Sequence, residues 1–233
     1  MGEEPPLVPS YAVFLAGCSL RCAFCSEAEV VADPAVGRAL STWPTPERLA
    51  AVRGAGARTF QVVGGEPVVN LPAVARFVAA RADALADLPL VVNTNLWAEP
   101  EALDALAALA DLVLADLKFG DDACARRLAG VTPYVGVVLA NLAELQARGV
   151  PLLVRHLAVP GHLECCTRPV LAALERWPEV PVNVLTAYVP FGPVAAWPGP
   201  EAHQPRVRER RELAGRLRAW RRGTLWVDGE PLR

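Results

Sequence analysis

Three of the six cysteines, Cys18, Cys22 and Cys25, fall within eight consecutive residues of the segment Gly17-Cys18-Ser19-Leu20-Arg21-Cys22-Ala23-Phe24-Cys25. The spacing C-x3-C-x2-C brings three thiolates onto one short loop. Three thiolates can hold three corners of an iron–sulfur cubane and leave one iron without a protein ligand. Catalysis at a metal needs such an open position, and a closed structural site lacks one. A zinc knuckle would supply a fourth Cys or His close by, and none follows here. The spacing leaves three readings open: a catalytic iron–sulfur site, a zinc site and structural thiols. A disulfide framework is not indicated, because a chain of this size needs no staples and clustered cysteines have the spacing of metal ligands.

A second candidate is the solitary lysine. Of the 23 basic residues, 22 are arginine and only Lys118 is lysine. A chain that uses arginine wherever a generic surface cation serves has a reason to keep one lysine if its compact ammonium does chemistry. The alternative is chance survival on a solvated loop. A third candidate is Gly64-Gly65-Glu66-Pro67. Glycines let backbone approach a ligand closely, and a carboxylate suits an ammonium; taken alone, the same four residues also read as a turn.

The elements that must position these residues follow from the apolar pattern. Tyr11 to Ala16, Thr59 to Val63, Leu90 to Val92, Leu112 to Leu117, Leu152 to Val159 and Val182 to Leu185 are short, almost uniformly apolar runs bounded by turn residues. Such runs suit the strands of a parallel sheet covered on both faces. Between them, Thr45 to Ala55, Leu71 to Leu85, Glu99 to Ala110, Val138 to Arg148 and Thr167 to Trp177 have helical spacing. Repeated βα units wind into an open doubly wound sheet or a barrel, and in both the chemistry sits at the C-terminal strand ends. Each candidate lies at such an end.

Composition narrows the class. With 233 residues, 53% hydrophobic and 21% charged, the chain is expected to form one compact domain. A net charge of −2 provides no overall basic field for nucleic acid. The start, MGEEPPLVPS, is acidic where a secretory signal would be basic and then apolar, and no run of about 18 apolar residues suggests a membrane span. A soluble, cytoplasmic protein is expected.

With these residues in place, the chain resembles the radical SAM enzymes, in which C-x3-C-x-aromatic-C binds a [4Fe-4S] cluster and S-adenosylmethionine chelates the open iron. The resemblance implies that Cys18, Cys22 and Cys25 are the cluster ligands and that Phe24 packs near the adenine. It also implies that Gly64, Gly65 and Glu66 hold the methionine ammonium. Residues Tyr11 to Tyr188 look most like the branch related to pyruvate formate-lyase activating enzymes. Asp116-Leu117-Lys118 resembles its D-x-K, implying contacts to the ribose and carboxylate. Asn93-Thr94-Asn95 resembles its D-T-N, with Asn93 replacing the acid. Arg155 to Gly161, RHLAVPG, resembles its fifth strand, with backbone at Val159 bordering the adenine, so that Asn93, Asn95 and Arg155 are implied to join the cofactor-binding set. The stretches Lys118 to Gly130 and His162 to Pro169 look closer to an uncharacterised subgroup of that branch.

The resemblance implies an incomplete (β/α)6 barrel over 11–188, after an N-terminal extension 1–10 and before a Pro-rich loop, an Arg-rich amphipathic helix and a tail in 189–233. The activity implied is reductive cleavage of S-adenosylmethionine to a 5′-deoxyadenosyl radical that abstracts a hydrogen atom. Flavodoxin or ferredoxin would be the electron donor, and a protein or peptide the substrate, with a glycyl-radical enzyme as first candidate. Other peptides and small molecules stay open as substrates. The ferredoxin-like insertion of many activating enzymes is absent between Cys25 and Gly64, and Thr186-Ala187-Tyr188 stands where some carry a histidine. The rival from another class is a non-catalytic zinc or iron–sulfur interaction protein.

The remaining polar and thiol residues have bland expectations. Cys124, Cys165 and Cys166 read as small buried hydrophobes, because a second cluster needs four ligands and only three cysteines remain; a hydrogen-atom donor or redox thiol is the alternative. Arg155 and His156 should point to opposite faces of one strand, with His156 a hydrogen-bonded core residue. His162, after a Pro-Gly turn, is placed for substrate contact. Arg206 to Arg222 carries eight arginines and two glutamates, but Leu213, Leu217 and Trp220 form a seam that would dock the helix and leave its arginines in water. Leu225 to Val227 is expected to add a tail strand. The loop Val189 to Gln204 is the expected mobile or substrate-facing segment.

Overall fold

A computed structural model describes residues 4–33, 35–220 and 223–232. Its strands are β1 (Ser10–Leu15), β2 (Thr59–Gly64), β3 (Leu90–Thr94), β4 (Leu112–Asp116), β5 (Leu152–Leu157), β6 (Val182–Leu185), β7 (Leu225–Val227) and β8 (Glu230–Pro231). They form one sheet in sequential order. Strands β1 to β7 are parallel and β8 returns antiparallel. The helices are α1 (Ala28–Ala32), α2 (Pro46–Gly54), α3 (Leu71–Ala80), α4 (Ala82–Leu85), α5 (Pro100–Leu109), α6 (Asp122–Ala129), α7 (Val135–Ala147), α8 (Arg168–Leu174) and α9 (Val207–Arg218). All six expected strands form, and the tail run adds the seventh. The first and last strands do not pair, so the α/β architecture is an incomplete barrel open on one side. Among the described residues no helix is long and apolar enough to cross a membrane.

Alternation along the strands separates two layers. Val62, Val92, Val113, Ala115, Val154, Val182 and Val184 face the helices and join the main core. On the concave face, Val91, Leu114 and Leu153 form a smaller cluster with Leu7. The N-terminal residues are therefore part of the barrel filling. The Thr59 hydroxyl donates to the Leu7 carbonyl at 2.7 Å, and the Arg58 amide donates to Pro9 at 2.8 Å.

Helix ends show where local pattern was overridden. Helix α2 begins as expected, with Thr45 accepting from the Arg48 amide and Pro46 in its first turn. The expected helix Leu71 to Leu85 breaks at Arg81, whose guanidinium donates to the carbonyls of Pro44 and Ser41. Helix α7 starts three residues early because Asp122, in α6, accepts from the amides of Tyr134 and Val135 at 2.9 and 2.8 Å. Helix α8 is preceded by a π turn, Leu163–Thr167. Helix α9 buries Leu213 and Leu217 as expected; Arg221 and Arg222, in the charged run, lie outside the described residues.

Candidate active site

The cysteine loop leaves β1 at Gly17 and is held from three sides. At the end of β2, the Gly65 amide donates to the Leu15 carbonyl and the Glu66 amide to the Gly17 carbonyl, both at 2.7 Å. This approach requires glycine. A Cβ on Gly65 would lie 1.9 Å from the Gly17 carbonyl oxygen, and Gly64 has φ +99° with its own Cβ position 2.7 Å from the Leu15 amide. The two glycines thus bring the second strand end against the backbone that opens the cysteine loop. At the C-terminal end of α6, the carbonyls of Ala129 and Leu128 accept from the amides of Arg21 and Ala23 at 2.9 and 2.7 Å. On the third side, the Val194 amide donates to the Ala23 carbonyl at 3.0 Å.

Leu20, Ala23 and Phe24 are buried and anchor the loop, while Cys18, Cys22 and Cys25 are half-buried free thiols. The Phe24 ring meets Phe119 and Tyr188 edge to face at 6.1 and 6.3 Å. The three thiols lie within electrostatic reach of one another. Burial raises Cys18, with Glu66 adding to the effect and Lys118 opposing it. Burial also pushes Cys22 up to about 12, again against Lys118. A metal bound here must displace protons from thiols that Lys118 helps to ionise.

The other sequence candidates surround this loop. Buried Glu66 accepts from the Val68 amide at 2.9 Å and the Asn95 amide at 2.8 Å, tying the end of β2 to that of β3. Burial raises its carboxyl, although the amides of Asn95 and Val68 and the Thr94 hydroxyl offset part of this. The Asn95 amide group donates to the Ser19 hydroxyl at 3.3 Å and lies 3.8 Å from the Cys18 sulfur. Asn93 is buried at the end of β3. Asp116 and Lys118 pair at 3.0 Å beyond β4. Burial opposes the Lys118 ammonium, but Asp116 and Cys22 overcome it and hold the lysine well above its ordinary value. Burial likewise opposes the Asp116 carboxylate, and Lys118 with Arg155 holds it below the usual range.

Asp116, Arg155 and Asn183 are register partners on adjacent strands, so their side chains share the concave face. Arg155 lies 3.9 Å from Asp116 and makes a two-point contact with buried Glu4 at 2.7 and 2.6 Å. Asn183 donates to the same Glu4 carboxylate at 3.0 Å. His156 faces the helices, as expected, between the Leu117 carbonyl at 2.7 Å and the Thr167 hydroxyl at 2.9 Å. Burial lowers it to about 4. Val159 is buried in the turn after β5, where its carbonyl accepts from the His162 amide.

Sequence reasoning missed several supports. Glu4 sits in an acidic start that carries no local signal. Tyr134 is fully buried; its hydroxyl accepts from the Lys118 amide at 2.9 Å and lies 3.3 Å from the Asp116 carbonyl. Asn183 had a signal, as a polar residue inside an apolar strand. Two expectations need correction. The Pro-rich loop is pinned against mobility by Val194 on Ala23, and by buried Glu201, which accepts from Arg127 at 2.7 and 2.5 Å, while its Phe191 stays exposed. Cys124, Cys165 and Cys166 are not isolated hydrophobes, because their sulfurs and a His162 ring nitrogen all lie within 4.8 Å of one another. His162 is thus the neighbour of three thiols.

The strand ends of an open parallel barrel thus converge on one loop that carries three free thiols. The chain belongs to the radical SAM superfamily, whose family model matches residues 13–174. Members use a [4Fe-4S] cluster with S-adenosylmethionine, and three donors on one loop fit such a cluster, since the other cysteines form a separate group. The chain is similar to the uncharacterized protein MJ0674 of Methanocaldococcus jannaschii, 28% identical over 197 residues that make up 82% of this chain and 56% of that protein. In fold it is similar to SuiB of Streptococcus suis bound to its precursor peptide SuiA (TM-score 0.66, 15% identity, 94% of this chain and 49% of that one). A domain of pyruvate-formate lyase-activating enzyme from Bacteroides vulgatus is also similar (TM-score 0.53, 17% identity, 72% of this chain and 96% of that one). So is a radical SAM methyltransferase from Sphaerobacter thermophilus (TM-score 0.59, 19% identity, 93% and 66%). The chain thus spans about half the length of MJ0674 and of SuiB.

Proposed function

We propose that this chain is a radical SAM oxidoreductase that abstracts a hydrogen atom from a polypeptide, with a backbone glycine of a partner enzyme as the first case. Cys18, Cys22 and Cys25 hold the [4Fe-4S] cluster. Bound together, the cluster and S-adenosylmethionine supply reductive cleavage to methionine and a 5′-deoxyadenosyl radical, at the expense of one electron from a flavodoxin or ferredoxin. Gly64, Gly65 and Glu66 receive the methionine ammonium, and Asn93 and Asn95 close the site from β3. Asp116 and Lys118 reach the ribose and carboxylate, Arg155 adds a cofactor contact from β5, and Phe24 and Val159 border the adenine.

The observation that carries this reading is the backbone junction of Gly65 and Glu66 with Leu15 and Gly17, which unites the two motifs at one place. A polypeptide substrate is supported by apolar side chains exposed beside the loop: Phe14, Val69 and Phe191 are 53%, 50% and 46% exposed. The fold likeness to SuiB with its precursor peptide favours modification of another peptide as the second reading. The reduced, reconstituted protein should be incubated with S-adenosylmethionine and a glycyl-radical enzyme from the same organism. A glycine-centred doublet in the electron paramagnetic resonance spectrum is expected. A mass change on a neighbouring peptide without that doublet would replace the first reading by the second.

A further inference from the structure

Away from the cysteine loop, four metal-binding side chains meet. Cys124 stands in the first turn of α6, His162 caps the π turn after β5, and Cys165 and Cys166 lie inside that turn. The Cys124 sulfur is 3.4 Å from both the Cys165 sulfur and His162 Nδ1, and Cys165 is 3.3 Å from the same nitrogen. All four donor atoms fall within 4.8 Å. We propose that they form a second metal site, a closed Cys3His centre for one zinc ion, separate from the cluster.

Distance decides between a single ion and a cluster. A tetrahedral zinc with Zn–S of about 2.3 Å and Zn–N of about 2.0–2.1 Å sets neighbouring donors about 3.5–3.8 Å apart. The three separations among Cys124, Cys165 and His162 are a few tenths of an ångström shorter, and Cys166 completes the group within 4.8 Å. Thiolates on the corners of a cubane each bind a different iron and stand much further apart. The donor count is that of a closed structural site, with no open position. Local backbone also serves the site. Cys165 and Cys166 are consecutive in the π turn, and both sulfurs lie within 4.8 Å of Cys124. Gly120 permits the close packing, since a Cβ there would lie 2.5 Å from the Cys166 carbonyl oxygen.

Binding replaces up to three thiol protons by Zn2+, which are released to solvent, with no change in oxidation state. The ion would fasten the N-terminal end of α6 to the turn after β5. The other end of α6 holds the cysteine loop through Leu128 and Ala129. Zinc would therefore brace the support of the cluster without touching it.

The test uses the full chain with Cys18, Cys22 and Cys25 all changed to Ser, so that zinc cannot occupy the first loop and the result does not depend on the radical SAM reading. Purified anaerobically, this protein should retain about one zinc per chain. Adding His162→Gln or Cys165→Ser should reduce zinc to less than about a tenth of that value. If those variants do not fold, the chelator-stripped protein can be titrated with Co2+. One equivalent should give the intense visible absorption and sulfur-to-metal charge transfer of tetrahedral thiolate coordination. Absence of retained zinc together with octahedral cobalt spectra would overturn the proposal. So would a Cys124–Cys165 disulfide in the anaerobic protein, or iron and sulfide at these residues in place of zinc.

Discussion

The two thiol groups of this protein are built in opposite ways. Cys18, Cys22 and Cys25 come from one continuous loop, held mainly by backbone hydrogen bonds to β2, to the end of α6 and to Val194. Cys124, His162, Cys165 and Cys166 come from two elements 38 residues apart and are brought together by packing of α6 on the π turn. The first group has three donors beside a cation and two carboxylates, an arrangement suited to a ligand that changes charge. The second has four donors and suits an ion that stays. Number of donors and surroundings, more than the presence of thiols, separate a site for chemistry from a site for support.

The sharpest way to break this contrast is to remove one cysteine from each group. Cys18→Ala should abolish the cluster, so that iron per chain falls to background, whereas Cys165→Ala should keep its iron. Loss of iron in the Cys165→Ala protein would merge the two groups. Gly65→Ala tests whether the first loop depends on its backbone junction. Its new Cβ meets the Gly17 carbonyl at 1.9 Å, and displacement of a packed backbone should cost about 3 kcal/mol, the upper end of the usual overpacking range. Urea unfolding of the metal-free chain measures this directly.

His156 stands between the two regions, bonded to Leu117 on one side and to Thr167, beside Cys166, on the other. Its folded value near 4 lies below the ordinary 6.5, so the unfolded chain binds the proton more tightly. The stabilisation is present above about pH 6.5 and is lost as pH falls toward 4, about 3 kcal/mol in all. His156→Gln should flatten that part of the stability profile; an unchanged acid limb would remove His156 as its origin. Lys118→Arg should leave iron intact and weaken S-adenosylmethionine binding by about 10- to 150-fold, as loss of a charge-assisted hydrogen bond worth roughly 1.5 to 3 kcal/mol implies. Arg53→Lys, in an exposed pair with Asp87, is the control. Equal affinities in all three proteins would leave the solitary lysine to chance.

What the sequence made legible follows the same contrast. Every strand whose two faces are covered showed as an apolar run, and the first thiol loop showed as a spacing, because both are local. Helix α6 did not show: its stretch DACARRLA is short and polar, and it is fixed by the Asp121 cap and by Asp122 reaching Tyr134 and Val135. Glu4 meets Arg155 across 151 residues, and nothing near Glu4 indicates a buried acid. The second thiol group was hidden for the same reason. Three cysteines seemed one ligand short until the fold supplied His162.

The central claim, that the loop of Cys18, Cys22 and Cys25 works with the strand ends around it to cleave S-adenosylmethionine, rests most directly on one product. The chain should be reconstituted anaerobically with iron and sulfide, reduced, and supplied with S-adenosylmethionine, and 5′-deoxyadenosine should be quantified per chain. The account predicts 5′-deoxyadenosine from the wild-type protein and none from Cys18→Ala. Absence of the nucleoside from a wild-type protein carrying a full complement of four irons, the number in one such cluster, would contradict it.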